Sequence, residues 1–450
     1  MTLRSIVQTF GRNRSGHGDL RGEMKTSLAG LKQLRGLAVA QVAPLPIQLI
    51  LSLLTAAALV PSERGSAVLV VSSGAIGGSV LFGSFHVGAV AALKVGDRRA
   101  FRRVTGCVIG LSATSLALAT WVEMAQPRGL GLYSADNLLL ILLGLALYVP
   151  YLFVIRTMQG VGSVASYRTL SLLFSGLYAG GAAITLVPMG IRTSDAVTLP
   201  WLVSLLLSLI VALCLFQGTL RSVQLPVRNS LLSPVQSVRA SLAAHIGSVS
   251  QQIAYRSDLF LLGIFSTAAP IGVYTLAVSL GELVWVVAEI MALSVFADDE
   301  IRIGVHWRER VQRRLQAVFL ITAGVAGLMF AGAAVLLLKV LPAYATSFPL
   351  LLILLPGMVL ASGSRVILAA FTARDERTML LLAAAGTLVL TAIYVPVIAA
   401  WGIFGAAAAS VVVYVGQYVL LRRLWSRATA GTNAGIRPDK NPVIHANGQS

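Results

Sequence analysis

Runs of apolar residues long enough to cross a lipid bilayer recur along this chain, and no other feature of the sequence restricts its fold so severely. A membrane-spanning helix needs about 20 mostly apolar residues to cross about 30 Å of hydrocarbon. Twelve stretches approach or exceed that length: Leu37–Val60, Ala67–Ala92, Val104–Glu123, Leu138–Ile155, Thr169–Met189, Leu199–Phe216, Leu242–Phe265, Ile271–Phe296, Val318–Val340, Phe348–Phe371, Met379–Ala400 and Ile403–Leu421. A backbone surrounded by lipid must satisfy its polar groups internally, so each run predicts a helix. The seventh is interrupted by His245, Gln251, Gln252, Arg256 and Asp258, and is retained because the charge on either side of it requires a crossing there.

The charge pattern gives the topology. The chain is 56% hydrophobic and 12% charged, against about a quarter charged in soluble domains. Its 35 Lys+Arg against 17 Asp+Glu leave a formal charge of +18. In a soluble protein that excess would suggest nucleic acid. Sorted by loop, 29 of the 35 basic residues fall on one face: before the first span, after each even-numbered span and in the tail. The opposite loops hold Arg64, Arg128 and Arg192, while Lys339 lies near an outer end and Arg256 and Arg365 lie inside spans. Lys and Arg mark the cytoplasmic side, so both termini are expected in the cytoplasm and nucleic acid is not needed to explain the charge. Residues 1–36 read as a basic cytoplasmic arm with no cleavable signal peptide, and 426–450 as a disordered tail. Cys107 and Cys214 both lie in apolar runs and suggest neither a disulfide framework nor a metal cluster.

The halves of the chain are similar in layout. Leu37 to Asp97 is 60 residues and Leu242 to Asp299 is 57, and each half has two long spans, a basic loop and four shorter spans. The expected architecture is all-α and polytopic: six-helix lobes at 37–220 and 242–425, joined by a cytoplasmic linker at 221–241. Parallel repeats of this kind build many secondary transporters, with a substrate site near mid-membrane between the lobes.

Ionisable residues within the spans carry the functional signal, because even lenient insertion scales assign about 2.5–3.5 kcal/mol to a charge at the bilayer centre. His86 lies in the first half, and Arg256, Asp258, Glu282, Glu289 and Arg365 in the second. At about 1.5 Å of rise per residue, depth predicts an outer cluster of Arg256, Asp258 and Glu282 and an inner one of Glu289, Arg365 and His86. Glu282 and Glu289 are seven residues apart, two turns on one helical face. Two readings stand. The arginines hold an anionic head group, since a guanidinium matches phosphate with paired hydrogen bonds, while the acids balance them or carry a coupling proton or Na+. Alternatively Arg256 with Glu282, or Glu289 with Arg365, are structural pairs, whose net stabilisation is often near zero. His86, beside Gly83 and Gly88, reads as a packed, hydrogen-bonded histidine rather than a ligand.

The run Arg256-Ser-Asp258-Leu-Phe-Leu-Leu262-Gly263, followed by Ala269-Pro-Ile-Gly-Val-Tyr274-Thr-Leu-Ala277 and Glu282-Leu-Val-Trp285, resembles the polysaccharide flippases of the MOP (multidrug/oligosaccharidyl-lipid/polysaccharide) superfamily, the Wzx-type group. The resemblance implies a V-shaped transporter of the inner membrane of a bacterium. It would move a polyprenyl-pyrophosphate-linked oligosaccharide from the cytoplasmic to the outer leaflet by alternating access, for surface polysaccharide biosynthesis. It marks Arg256 and Asp258 as motif positions and Glu282 more loosely. It also implies a monomer whose neighbours are a polysaccharide polymerase or glycosyltransferases, with no cofactor beyond a coupling ion. The first span has no charge between Leu37 and Val60, where lipid II flippases and many proton-coupled drug exporters of the superfamily place one; this departure favours the oligosaccharide branch.

A cation-coupled multidrug exporter of the same superfamily is the alternative, and a polytopic glycosyltransferase or ligase a more distant one. The longest outer loop, Met124–Asn137, has Asp136 as its one acid beyond the span end and no histidine, which leaves little for outer-face catalysis. No P-loop is present. The acids Asp298, Asp299 and Glu300 read as a solvated loop.

Overall fold

The computed structural model describes residues 42–82, 85–94, 96–126, 132–222, 234–296, 298, 301, 304, 306–374 and 376–433. Over these the architecture is all-helical. The N-terminal half contributes α1 (Pro44–Ala58), α2 (Pro61–Phe82), α3 (Phe85–Lys94), α4 (Arg98–Ala125), α5 (Ala135–Gly160), α6 (Val164–Leu186) and α7 (Asp195–Ser222). The C-terminal half contributes α8 (Pro234–Phe265), α9 (Ala268–Gly281), α10 (Trp285–Phe296), α11 (Trp307–Val335), α12 (Ser347–Ala373), α13 (Arg377–Thr391) and α14 (Tyr394–Asn433). The arm at 1–36 and the end of the tail lie outside the described residues.

Among the described residues eight helical segments are long and apolar enough to cross a membrane, or nine when α2 and α3 form one bent span. The shorter apolar helices α1 and α13 fall within two further predicted stretches. The long α8 covers the seventh stretch, where its polar residues interrupt the apolar run. Gly402, at φ 55° and ψ −129°, interrupts α14 between the eleventh and twelfth stretches. That backbone conformation is open to glycine and costly for a residue with a Cβ, so one continuous helix becomes two directions of chain.

Several helices outrun their apolar stretches. Arg98, Arg99, Arg102 and Arg103, expected in a loop, belong to the start of α4, whose first amides are capped by Asp97 (Oδ1 accepting from Arg99 N at 3.0 Å and Ala100 N at 2.9 Å). Arg308 to Arg314 likewise lie in the first turns of α11. A helix need not end where the hydrocarbon ends, since the headgroup layers add roughly 10–15 Å of polar thickness.

The apolar cores follow the halves except that α1 packs Leu49, Leu53 and Ala56 against the C-terminal core. One packs around Tyr151, Phe153, Met158, Leu170 and Trp201, another around Tyr274, Leu276, Leu351, Leu354 and Val413, and a third around Ile301, Val311, Val318, Phe371 and Leu421. Helix α12 is the most buried of the long apolar helices, and α4 and α11 are the least. The outer faces of those two show Ile109, Trp121, Leu320 and Leu328, as a lipid-facing helix would. Hydroxyls on that face of α4 return to its own backbone: Thr114 donates to Gly110 O at 2.9 Å and Thr120 to Leu116 O at 3.0 Å.

At the end opposite the arginine-rich segments, hydrogen bonds join the two halves of the chain. Leu132 N donates to Gly263 O at 2.8 Å, Tyr133 OH to Phe260 O at 3.3 Å and Tyr344 OH to Leu59 O at 2.9 Å. Helices α2 and α9 cross there through Gly65 and Gly272. A Cβ at Gly65 would lie 1.8 Å from Ala268 O, and one at Gly272 would lie 2.0 Å from Pro61 O. Two backbones approach this closely only where side chains are absent.

Candidate functional site

A cavity of about 420 Å³ opens between the halves. Its walls come from α1, α2, α5, α6 and α7 on one side and α8 and α9 on the other. Polar side chains on its first wall include Gln48, Ser52, Thr55, Ser72 and Tyr178; Gln252, Arg256, Ser279 and Glu282 face them.

Of the six residues singled out in the sequence, Arg256 and Glu282 line this cavity. They form an ion pair, Arg256 Nη2 to Glu282 Oε1 at 2.6 Å, with side chains 30% and 28% exposed. Glu282 begins a single 3₁₀ turn, Glu282–Val284, between α9 and α10. That tighter turn breaks the helical phase on which a shared face with Glu289 depends. The two acids engage different partners.

Asp258 departs from the expected outer cluster. It is 2% exposed and faces the C-terminal core, where its Oδ2 accepts from Tyr274 OH and from Ser410 Oγ at 3.4 Å while Leu259 N donates to Oδ1 at 2.8 Å. Tyr394 OH extends this network to Ser410 Oγ at 3.2 Å. The cause is helix geometry: residues two apart are about 200° apart around the axis, so Arg256 and Asp258 cannot share a wall. Asp258→Ala leaves the buried Tyr274 hydroxyl with only the long contact to Ser410 Oγ at 3.4 Å, against about 1–3 kcal/mol for a fully unsatisfied group. It is expected to lower the melting temperature of the purified protein by several degrees, with Asp258→Asn, which retains an acceptor, closer to wild type. Equal melting temperatures for the alanine variant and wild type would refute a structural role.

The expected inner cluster also divides. Arg365 on α12 pairs with Glu289 on α10, and its guanidinium lies over Trp285 (4.4 Å to the ring centre) and Tyr255 (5.3 Å). His86 lies apart on α3, its Nδ1 buried without a hydrogen bond among the described residues, contrary to the expectation of a hydrogen-bonded histidine. A one-dimensional depth cannot say which way a side chain turns. Asp298 is not solvated: 7% exposed, it is gripped by Arg314 at 2.5 Å and Arg310 at 3.3 Å.

The residue the sequence reading passed over is Arg64. Counted as one of three outer-loop cations, it sits in the first turn of α2 and is 2% exposed. Its Nη1 donates to Gly272 O and to Thr275 Oγ1 (2.8 Å) across the halves, and its Nη2 to Ser52 Oγ (3.0 Å). The guanidinium lies 5.8 Å from the Tyr344 ring centre, and Nε is buried without a partner. Among the described residues no carboxylate pairs with it; its neighbour Glu63 instead accepts from Ser194 N at 2.8 Å. Arg64 also lines the cavity. The signal was Pro61 six residues before the assigned span, since a proline in the first turn starts a helix readily.

This helical architecture, with a polar cavity between two halves, is similar in fold to solved structures of MOP-superfamily transporters. The lipid II flippase MurJ in an inward closed conformation superposes with a TM-score of 0.62 at 12% identity, over 87% of this chain and 87% of that one. An inward-facing multidrug resistance MATE family transporter gives 0.58 at 15%, covering 89% and 100%. A MOP-superfamily transporter from Pyrococcus furiosus, described for the reverse polarity of its binding pocket, gives 0.54 at 13%, covering 90% and 97%. These neighbours are transporters and flippases rather than enzymes. No family model and no curated protein sequence matches the chain.

Proposed function

We propose that this protein is a flippase for an anionic, lipid-linked oligosaccharide, a polyprenyl-pyrophosphate glycan moved from the cytoplasmic to the outer leaflet of a bacterial inner membrane. The reading takes the chain as twelve spans in two six-helix lobes with both termini cytoplasmic. The observation that carries it is the charge of the cavity. Its lining residues include two arginines, Arg64 and Arg256, and one acid, Glu282, which Arg256 engages. Arg64 is left as an unbalanced cation in a low-dielectric wall, where an anion gains most. A pyrophosphate brings two phosphoryl groups to match two guanidinium forks. The surrounding hydroxyls and amides of Gln48, Ser52, Ser72 and Gln252 suit sugar hydroxyls.

A cation-coupled exporter of cationic drugs needs the opposite field. Among the described residues the single lining acid is already paired, which favours the flippase over that alternative.

The test is export in cells lacking the endogenous protein and complemented with variants. Arg256→Ala is expected to reduce surface glycan at least about tenfold, the loss of one charged hydrogen bond worth about 1.5–3 kcal/mol. Lipid-linked oligosaccharide should accumulate on the cytoplasmic face while membrane insertion stays normal. Unchanged export would remove Arg256 from the substrate site. Saturable binding of tetraphenylphosphonium with no binding of farnesyl pyrophosphate would favour the drug exporter.

A further inference from the structure

A second recess, of about 450 Å³, lies at the arginine-rich end of the C-terminal half, away from the central cavity. It is formed where the first turns of α11 meet the segment of α14 beyond the last apolar stretch. Arg308, Gln312, Arg422, Arg423 and Trp425 line it, with Glu309 as its one acid among the described residues. Its volume falls within the range of about 300–1,000 Å³ usual for ligand sites.

The recess is built rather than incidental. The Arg422 guanidinium stacks on the Trp425 ring at 4.4 Å and donates through Nη1 to Gln312 Oε1 at 3.1 Å, so its planar fork is held in place. Trp425 is 5% exposed, so the ring is a fixed platform under that guanidinium. With three arginines around the recess, an anionic oxygen is the complementary occupant. The position narrows the source, since tryptophan and arginine at helix ends mark the headgroup layer of a bilayer and basic pockets on the cytoplasmic side bind phosphorylated head groups.

We propose that this recess binds the phosphodiester of an anionic phospholipid, with Arg308 and Arg423 closing on the phosphate beside the fixed Arg422 guanidinium. The site is separate from the transport cavity. Its occupant is a bilayer lipid that stays bound, not the transported glycan.

The test is native mass spectrometry of the full-length protein in detergent with phosphatidylglycerol, phosphatidylcholine or inorganic phosphate. Wild type is expected to retain one phosphatidylglycerol at least about tenfold more tightly than Arg308→Gln/Arg423→Gln, and more tightly than phosphatidylcholine. Arg423→Gln alone, altering an exposed side chain, gives the same test should the double variant fail to fold. Arg99→Gln removes one exposed charge outside the recess and is expected to bind as wild type does. Equal losses in the Arg99 and Arg423 variants would reduce the effect to general surface charge and overturn the proposal. So would equal retention of phosphatidylcholine, or inorganic phosphate competing at equal concentration, which would identify a free-anion site.

Discussion

Gly65→Val is expected to abolish transport while leaving the protein inserted in the membrane. The position of the Cβ decides this: at Gly65 it would fall 1.8 Å from Ala268 O, 2.7 Å from Ala268 C and 2.9 Å from Gly272 N. All three are backbone atoms and cannot rotate aside. Overpacking a tight site typically costs about 1–3 kcal/mol, and a rigid backbone clash belongs at the upper end. The helices α2 and α9 can relieve it by separating, which breaks the Arg64 bonds to Gly272 O and Thr275 Oγ1. At about 1.4 kcal/mol per factor of ten, the closed arrangement of this end loses about a hundredfold in population relative to an open one. On the proposed function, a transporter that must visit both states then stalls in one. The readout is labelling of Thr55→Cys, a buried cavity position, by an impermeant maleimide added outside cells, in a background with Cys107 and Cys214 replaced by serine. Thr55→Cys is expected to be protected when residue 65 is glycine and to react when it is valine. Equal protection in both, with transport intact, would show that the Gly65 crossing is not a gate.

What the sequence made legible follows a physical division. Helix positions follow from hydrophobic run length, a one-dimensional property, and helix was found at the described part of each predicted stretch. The pairs Arg256 with Glu282 and Glu289 with Arg365 were accessible because a charge in hydrocarbon needs a partner and few were on offer. Facing was less accessible. Asp258 shares a motif with Arg256 but points away from the cavity, as 100° per residue already requires. His86 matched the Glu289–Arg365 pair in depth, yet aromatic rings of Trp285 and Tyr255 hold that arginine. Asp298 looked like part of a solvated acidic run until α11 brought Arg310 and Arg314 against it. Tertiary arrangement decides such cases, and no local pattern encodes it.

Arg64 is the sharpest instance, and its substitution gives the other large effect. Arg64→Gln is expected to weaken binding of a polyprenyl-pyrophosphate probe about 10- to 100-fold, from the loss of about 1.5–3 kcal/mol of charge-assisted hydrogen bonding. Arg64→Lys, which keeps the charge but loses the planar fork, should fall between glutamine and wild type. The same glutamine is expected to leave the melting temperature of the protein without ligand unchanged or raised. A guanidinium 2% exposed, with Nε unsatisfied and no carboxylate partner among the described residues, is expensive to hold in the folded state. Glutamine removes that charge while retaining a donor for Gly272 O or Ser52 Oγ. Stability and binding therefore move in different directions, as expected where a site is kept strained for its ligand. A structural pin between the halves makes the contrary prediction: the melting temperature falls and probe binding falls only in step with folded protein. Thermal melting in detergent, with and without farnesyl pyrophosphate, separates the two. Ligand-induced stabilisation that is present in wild type and absent in a stably folded Arg64→Gln protein assigns the buried charge to substrate; equal stabilisation in both assigns it to architecture.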